Sequence, residues 1–181
     1  ACIGPPLKEM INDFNLDYDD SVIDKIIIIF RKMYIESGFP KTVLYDGIQS
    51  ILDLFFTLKK QVFIATNKPS IPTIKILDKL NIIEKFTGII CVDTYKTKLS
   101  KNEMLRDLII RWDLDQNKTI MIGDSASDII AAKKNGLSSI GILSGYGNAK
   151  DIIMQRPHFY INNHVELFNI IHCLIKGVEN A

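Results

Sequence analysis

KTIMIGDSASDIIAAKKNG, residues 118–136, decides the fold. Residues 119–122 are an apolar run, short enough for a buried parallel strand. Gly123 breaks that pattern. Asp124 and Asp128 follow in a stretch of Ser and Ala that reads as a loop. A helix is expected from about Ile129 to Lys134, with Gly136 placed to close it. In open α/β sheets, ligands collect at the carboxyl ends of the strands. Two carboxylates four residues apart at such an edge suit a hard divalent cation. Mg²⁺ takes few carboxylates and completes its shell with water and phosphate oxygens. The competing reading is that the two Asp side chains cap the helix, a role for which Asp is favoured.

Outward from this stretch, apolar runs and amphipathic runs alternate along the 181 residues. Strands are expected at 61–65, 86–92, 138–143 and 158–161. Helices are expected at 22–36, 48–60, 70–80, 102–112, 151–155 and 165–175, with a short one at 8–15 after a turn-like start at 1–7. Strands separated by helices imply an α/β fold with a parallel sheet and crossover helices. Gly38 and Pro40 are expected to end the 22–36 helix. The acids at Asp13, Asp17, Asp19 and Asp20 form neither an EF-hand nor a DxDxT pattern and read as a solvated helix start.

The 47% hydrophobic content supports a sizeable core, and a net charge of +1 gives no electrostatic case for nucleic acid. No apolar run reaches the ~18 residues of a membrane span. Cys2, Cys91 and Cys173 are far apart and form no CxxC, which argues against a zinc site or disulfide framework and fits a reducing cytoplasm. Cys91, inside GIICV, reads as core. His158, His164 and His172 read as packing or surface residues.

Three successive strand ends carry groups suited to one anion. Thr66 and Asn67 follow the strand at 61–65, offering a hydroxyl, an amide and backbone N–H groups. Lys101 stands at a helix start, where the dipole disfavours a cation, and so invites a role as a charge clamp on a phosphoryl group. Lys98 competes for that role. Asp124 and Asp128 are the metal candidates. Segments 145–147, GYG, read as a flexible loop.

In this order the motifs resemble the haloacid dehalogenase superfamily, within it the phosphoglycolate-phosphatase-like branch. Thr66 in FIATNKP is similar to that family's second motif, Lys101 in LSKNEML to its third, and Asp124 and Asp128 in IGDSASD to its fourth. IGPPL from Ile3, LYDGI from Leu44 and GILSGYG from Gly141 also resemble that branch. The resemblance implies a partial small helical cap at 1–43 and a Rossmann-like core at 44–181, with Gly47 near a hinge. It implies Mg²⁺ as cofactor and hydrolysis of a small phosphorylated metabolite, phosphoglycolate-like or a nucleoside monophosphate, through an aspartyl phosphate. Thr66 and Asn67 would hold phosphoryl oxygens, and Lys101 would neutralise charge and orient the nucleophile. Asp124 would bind Mg²⁺ directly, and Asp128 directly or through water.

One family motif has no counterpart. DxDxT, which carries the nucleophile and the general acid/base on the first core strand, is absent. That strand would lie mid-sheet, between the strands at 61–65 and 119–122. The resemblance therefore implies part of a longer phosphatase, inactive by itself, with three possible outcomes at the gap: the flanking strands close up, another segment fills it, or the chain folds poorly. A catalytically dead binding or regulatory relative is the alternative. A generic response-regulator-like or Rossmann module is disfavoured, since GxGxxG and an acidic cluster at the first strand are both absent.

Overall fold

The computed structural model describes residues 11, 18–34, 36 and 41–179, with side chains up to residue 173. Its helices and strands in chain order are α1 (Asp20–Met33), α2 (Ile48–Thr57), β1 (Phe63–Thr66), α3 (Ser70–Lys79), β2 (Gly88–Cys91), α4 (Lys101–Arg111), β3 (Ile120–Gly123), α5 (Ala126–Lys134), β4 (Ser138–Ile142), α6 (Ala149–Met154), β5 (Phe159–Ile161) and α7 (His164–Glu179). The expected α/β alternation is present, and every strand pairing is parallel. The turn-like start at 1–7, Gly38 and Pro40 lie outside the described residues. So does the expected 8–15 helix, apart from Ile11, which is helical and buried.

The strands form two sheets, β1–β2 and β3–β4–β5, and β1 does not pair with β3. Of the three outcomes set out for the gap, the flanking strands have not closed up, and no described strand fills the slot. Two helices hold the halves together instead. On one face, α4 packs against β1, β2 and α5. The apolar cluster there joins Ile90, Met104, Leu105 and Leu108 to Ala131 and Ala132, with Phe63, Ala65 and Met121 against it. On the other face, α2 places adjacent residues in different clusters. Ile51 packs with Ile140, Ile161 and Leu167, while Leu52 packs with Leu77 and Ile82. Successive strand side chains point to opposite faces, which is why Ala65 meets α4 while Ile64 belongs to the α2 side.

The strands beside the slot are less protected than the strands they pair with. β1 is half-buried throughout and Ile120 of β3 is 38% exposed, whereas Ile90 in β2 and Ile140 in β4 are fully buried. In a parallel sheet, strands flanked on both edges are normally buried on both faces. The Thr87 N–H donates to the Val62 carbonyl at 2.7 Å, which turns Val62 towards β2. Backbone direction alternates along a strand, so the Ala65 carbonyl faces away from β2, towards the slot.

Local chemistry explains several element ends. Asp19 caps α1, accepting from the Val22 N–H at 2.9 Å and the Ser21 hydroxyl at 2.7 Å, as expected for a solvated helix start. Gly136 has φ +66°, a conformation that favours glycine, just past α5. Trp112 ends α4 and packs on Phe63 with ring centroids 5.2 Å apart. The sequence reading starts α5 three residues late. Ser125 caps it and Ala126 opens it, so Asp128 lies in the first helical turn rather than in a loop. The signal was present as Ser-x-x-Asp, a capping-box pattern.

α3 is capped from outside its own segment. Pro69 stands at its N-cap and has no side chain to offer, and the Asp93 carboxylate past β2 accepts from the Ser70 N–H at 2.7 Å and its hydroxyl at 3.3 Å. Asp93→Ala is expected to lower stability by about 1 kcal/mol, read as a shifted urea midpoint at unchanged slope. An unshifted midpoint would show that the cap contributes nothing.

Candidate active site

Lys101 is the first residue of α4, behind a Ser100–Glu103 capping box. Its ammonium donates to the Ala65 carbonyl at 2.7 Å and lies 3.2 Å from Asp128 Oδ1. It therefore joins the open edge of β1 to the start of α5 across the slot. Both side chains are sheltered, with 13% of Lys101 and 7% of Asp128 exposed. A cation at a helix start is disfavoured by the dipole, and here a carboxylate and a carbonyl offset that. Lys98, the competing lysine, is exposed and makes no such contact.

Asp128 fulfils the capping reading of its sequence position, and its second oxygen is turned to Lys101. Oδ2 caps α5, accepting from the Ser125 N–H at 3.2 Å and the Ser125 hydroxyl at 2.8 Å. Oδ1 is buried without an aligned hydrogen bond and faces the Lys101 charge. A side chain at Gly123 would overlap the Asp128 carboxyl, so strand β3 must end in glycine.

Asp124 sits between β3 and α5, and its Oδ2 accepts from the Tyr146 N–H at 2.9 Å. The GYG segment, read from sequence as flexible, packs directly on it. A Cβ at Gly145 would overlap the Asp124 side chain, and one at Gly147 would overlap the Asp124 carbonyl. The Tyr45 phenol is pushed above its ordinary range, first by burial, then by Tyr146 and by the Asp124 charge, so it stays protonated. The Tyr45 ring stacks on His164, centroids 4.1 Å apart. Nothing in the local sequence signals the hold on Asp124, because its partners are 22 residues away.

At the end of β1, Thr66 Oγ1 accepts from the Lys68 N–H at 3.1 Å, shaping the turn into α3. Asn67 is exposed at the same turn. The Lys68 ammonium donates to the Tyr34 hydroxyl at 2.9 Å and lies 4.6 Å from the centre of that ring. The histidines behave as packing residues: His158 Nδ1 accepts from the Ser139 N–H at 3.2 Å, and His172 stacks near Phe168.

The donor set can be tested against a divalent cation. Among the described residues, no three His, Cys, Asp or Glu side chains cluster closely enough to hold a metal alone. Mg²⁺ does not need three, since one or two carboxylates with phosphate oxygens and waters suffice. Asp124 fits, because Oδ2 is engaged by Tyr146 and Oδ1 has no partner among the described residues. Asp128 fits less directly, since Oδ1 already faces Lys101.

Residues 1–142 match the haloacid dehalogenase-like hydrolases. The chain belongs to that family. Among its relatives is a phosphoglycolate phosphatase of Vibrio parahaemolyticus, 27% identical over 143 residues, covering 79% of this chain and 63% of that protein. A 5′-nucleotidase of Pseudomonas aeruginosa is 25% identical over 158 residues, covering 87% and 71%. The chain thus spans roughly two thirds of the length of these relatives. Among solved structures, a Clostridium difficile protein of 29% identity superposes with TM-score 0.82 over 93% of this chain and 78% of its own. A haloacid dehalogenase-like family protein of Streptococcus pneumoniae, at 21% identity and TM-score 0.81, shares the fold. In this haloacid dehalogenase-like hydrolase, Lys101, Asp128 and the end of β1 are brought into direct contact, and Asp124 stands beside them at the same sheet edge. No helix of the described residues is long and apolar enough to cross a membrane.

Proposed function

We propose that the chain supplies most of a Mg²⁺-dependent phosphatase site acting on a small phosphomonoester. The observation that carries this reading is the Lys101 ammonium, held between Ala65 O and Asp128 Oδ1 beside a second carboxylate, Asp124. Phosphoryl transfer is chiefly positioning and charge stabilisation. The Thr66 hydroxyl and Asn67 bind phosphoryl oxygens. Lys101 neutralises their charge and orients the attacking carboxylate. Asp124 would hold the metal, and Asp128, which fixes Lys101, would reach it directly or through water. Bound Mg²⁺ supplies charge neutralisation on the phosphoryl oxygens. Names of relatives support the substrate class, either a phosphoglycolate-like acid or a nucleoside monophosphate. The expected setting is the cytoplasm.

The nucleophile is the component this chain does not offer. DxDxT is absent from its sequence. Asp93, the carboxylate past β2, is engaged in capping α3. Our reading is that an aspartyl phosphate forms on a carboxylate carried by a strand lying between β1 and β3, and that these 181 residues alone do not turn over.

Hydrolysis of p-nitrophenyl phosphate tests this. The chain alone is expected to release no phosphate. The chain fused to an upstream DxDxT strand is expected to release it only with Mg²⁺, and Asp124→Asn in that fusion to lower the rate about 100-fold or more. Release by the unfused chain would overturn the inert reading. A folded fusion that stays inactive, or is indifferent to Mg²⁺ and to Asp124→Asn, would overturn the phosphatase reading.

A further inference from the structure

We propose that Lys68, together with the Tyr34 hydroxyl, is a specificity element that binds a second anionic group on the substrate, a carboxylate close to the phosphate ester. The inference rests on the proposed phosphatase site and names its substrate class.

Three observations carry it. The first is position. Lys68 follows Thr66 and Asn67 in one turn, and Thr66 Oγ1 fixes that turn by accepting the Lys68 N–H. The second is its unbalanced charge. Lys101 faces Asp128, but no carboxylate among the described residues pairs with Lys68. Lys68 is half-buried, and its ammonium lies over a phenol ring with one hydroxyl as hydrogen-bond acceptor. Such a lysine has three donors to satisfy and gains from an anion more than a fully exposed one does. The third is reach. Tyr34 ends α1, 34 residues before Lys68, and its ring stacks near Phe30 of the same helix, centroids 6.2 Å apart. The pair therefore spans from the helix preceding the core to the strand end that carries Thr66.

Such a pair discriminates by the leaving group. Phosphoglycolate carries a carboxylate one carbon from the ester oxygen, and Lys68 stands two residues past Thr66. A nucleoside monophosphate presents a neutral sugar there, leaving the ammonium unmatched. Lys68 takes no part in bond breaking; it positions the substrate.

The test measures dissociation constants by calorimetry with Mg²⁺ present, using 2-phosphoglycolate and ethyl phosphate. The unsubstituted chain is expected to prefer 2-phosphoglycolate about tenfold, the worth of one charge-assisted hydrogen bond. Lys68→Met should bring the ratio close to one, Lys68→Arg should keep most of it, and circular dichroism should show both variants folded. A ratio unchanged in Lys68→Met, or no preference to begin with, overturns this inference and leaves the phosphatase reading standing. Failure of the unsubstituted chain to bind either ligand, or inorganic phosphate, overturns the phosphatase reading and this inference with it.

Discussion

Lys101→Met is expected to be the most damaging single substitution in the core. It removes the charge facing Asp128 Oδ1 and the donor to the Ala65 carbonyl, and nothing else described replaces either. Breaking a sheltered ion pair from one side leaves an uncompensated charge, at a cost of about 3 kcal/mol. The link between β1 and α5 goes with it, at the place where no strand pairing joins the two sheets. Chemical denaturation should show the loss. The double variant Lys101→Met/Asp128→Asn should recover part of it, because asparagine removes the stranded charge while its carbonyl can still accept from Ser125. A double variant no more stable than Lys101→Met would show that burial of the Asp128 charge is not what the lysine compensates. Phosphate binding should be lost in both variants.

Gly147→Ala is the second large effect, and it acts on Asp124 from a distance in sequence. The added Cβ would overlap the Asp124 carbonyl oxygen and stand 3.0 Å from its carbon and 3.1 Å from Ser125 Cα. These are backbone atoms, so no rotamer change relieves the clash. The loop must move, and the Tyr146 N–H leaves Asp124 Oδ2. Overpacking of this kind costs about 2 kcal/mol. Loss of a partner that orients a ligand side chain typically weakens metal binding about 10- to 100-fold. Mg²⁺ titration of Gly147→Ala in the presence of phosphate should show that drop. Unchanged affinity in a folded variant would mean that the loop does not position Asp124.

Residues close in sequence were legible, and long-range contacts were not. The run 119–122 followed by Gly-Asp identified the end of β3, and Lys101 stood out because a cation at a helix start needs a reason. Asp128 was open between cap and metal ligand; one oxygen caps α5, and the other faces Lys101, a partner no local pattern signals. The late placement of α5 came from reading Ser and Ala as loop composition, where the Ser-x-x-Asp spacing carried the start signal. The grip of the GYG loop on Asp124 and the Lys68–Tyr34 pair have no local signature. Each joins residues 22 and 34 positions apart, and only the packed fold brings them together. The slot between β1 and β3 is likewise invisible to composition and periodicity. Each strand reads as a normal buried run, and only the family resemblance predicted a partner between them.

The most direct test of the account is the coupling between Mg²⁺ and inorganic phosphate on this chain. Both are proposed to bind at one edge, the cation on Asp124 and the anion on Thr66, Asn67 and Lys101, so each must tighten the other by the same factor. Calorimetric phosphate titrations with and without Mg²⁺ should differ about tenfold or more, and Asp124→Asn should erase the difference. Equal phosphate affinity with and without Mg²⁺, unaltered by Asp124→Asn, would contradict a shared metal and phosphate site.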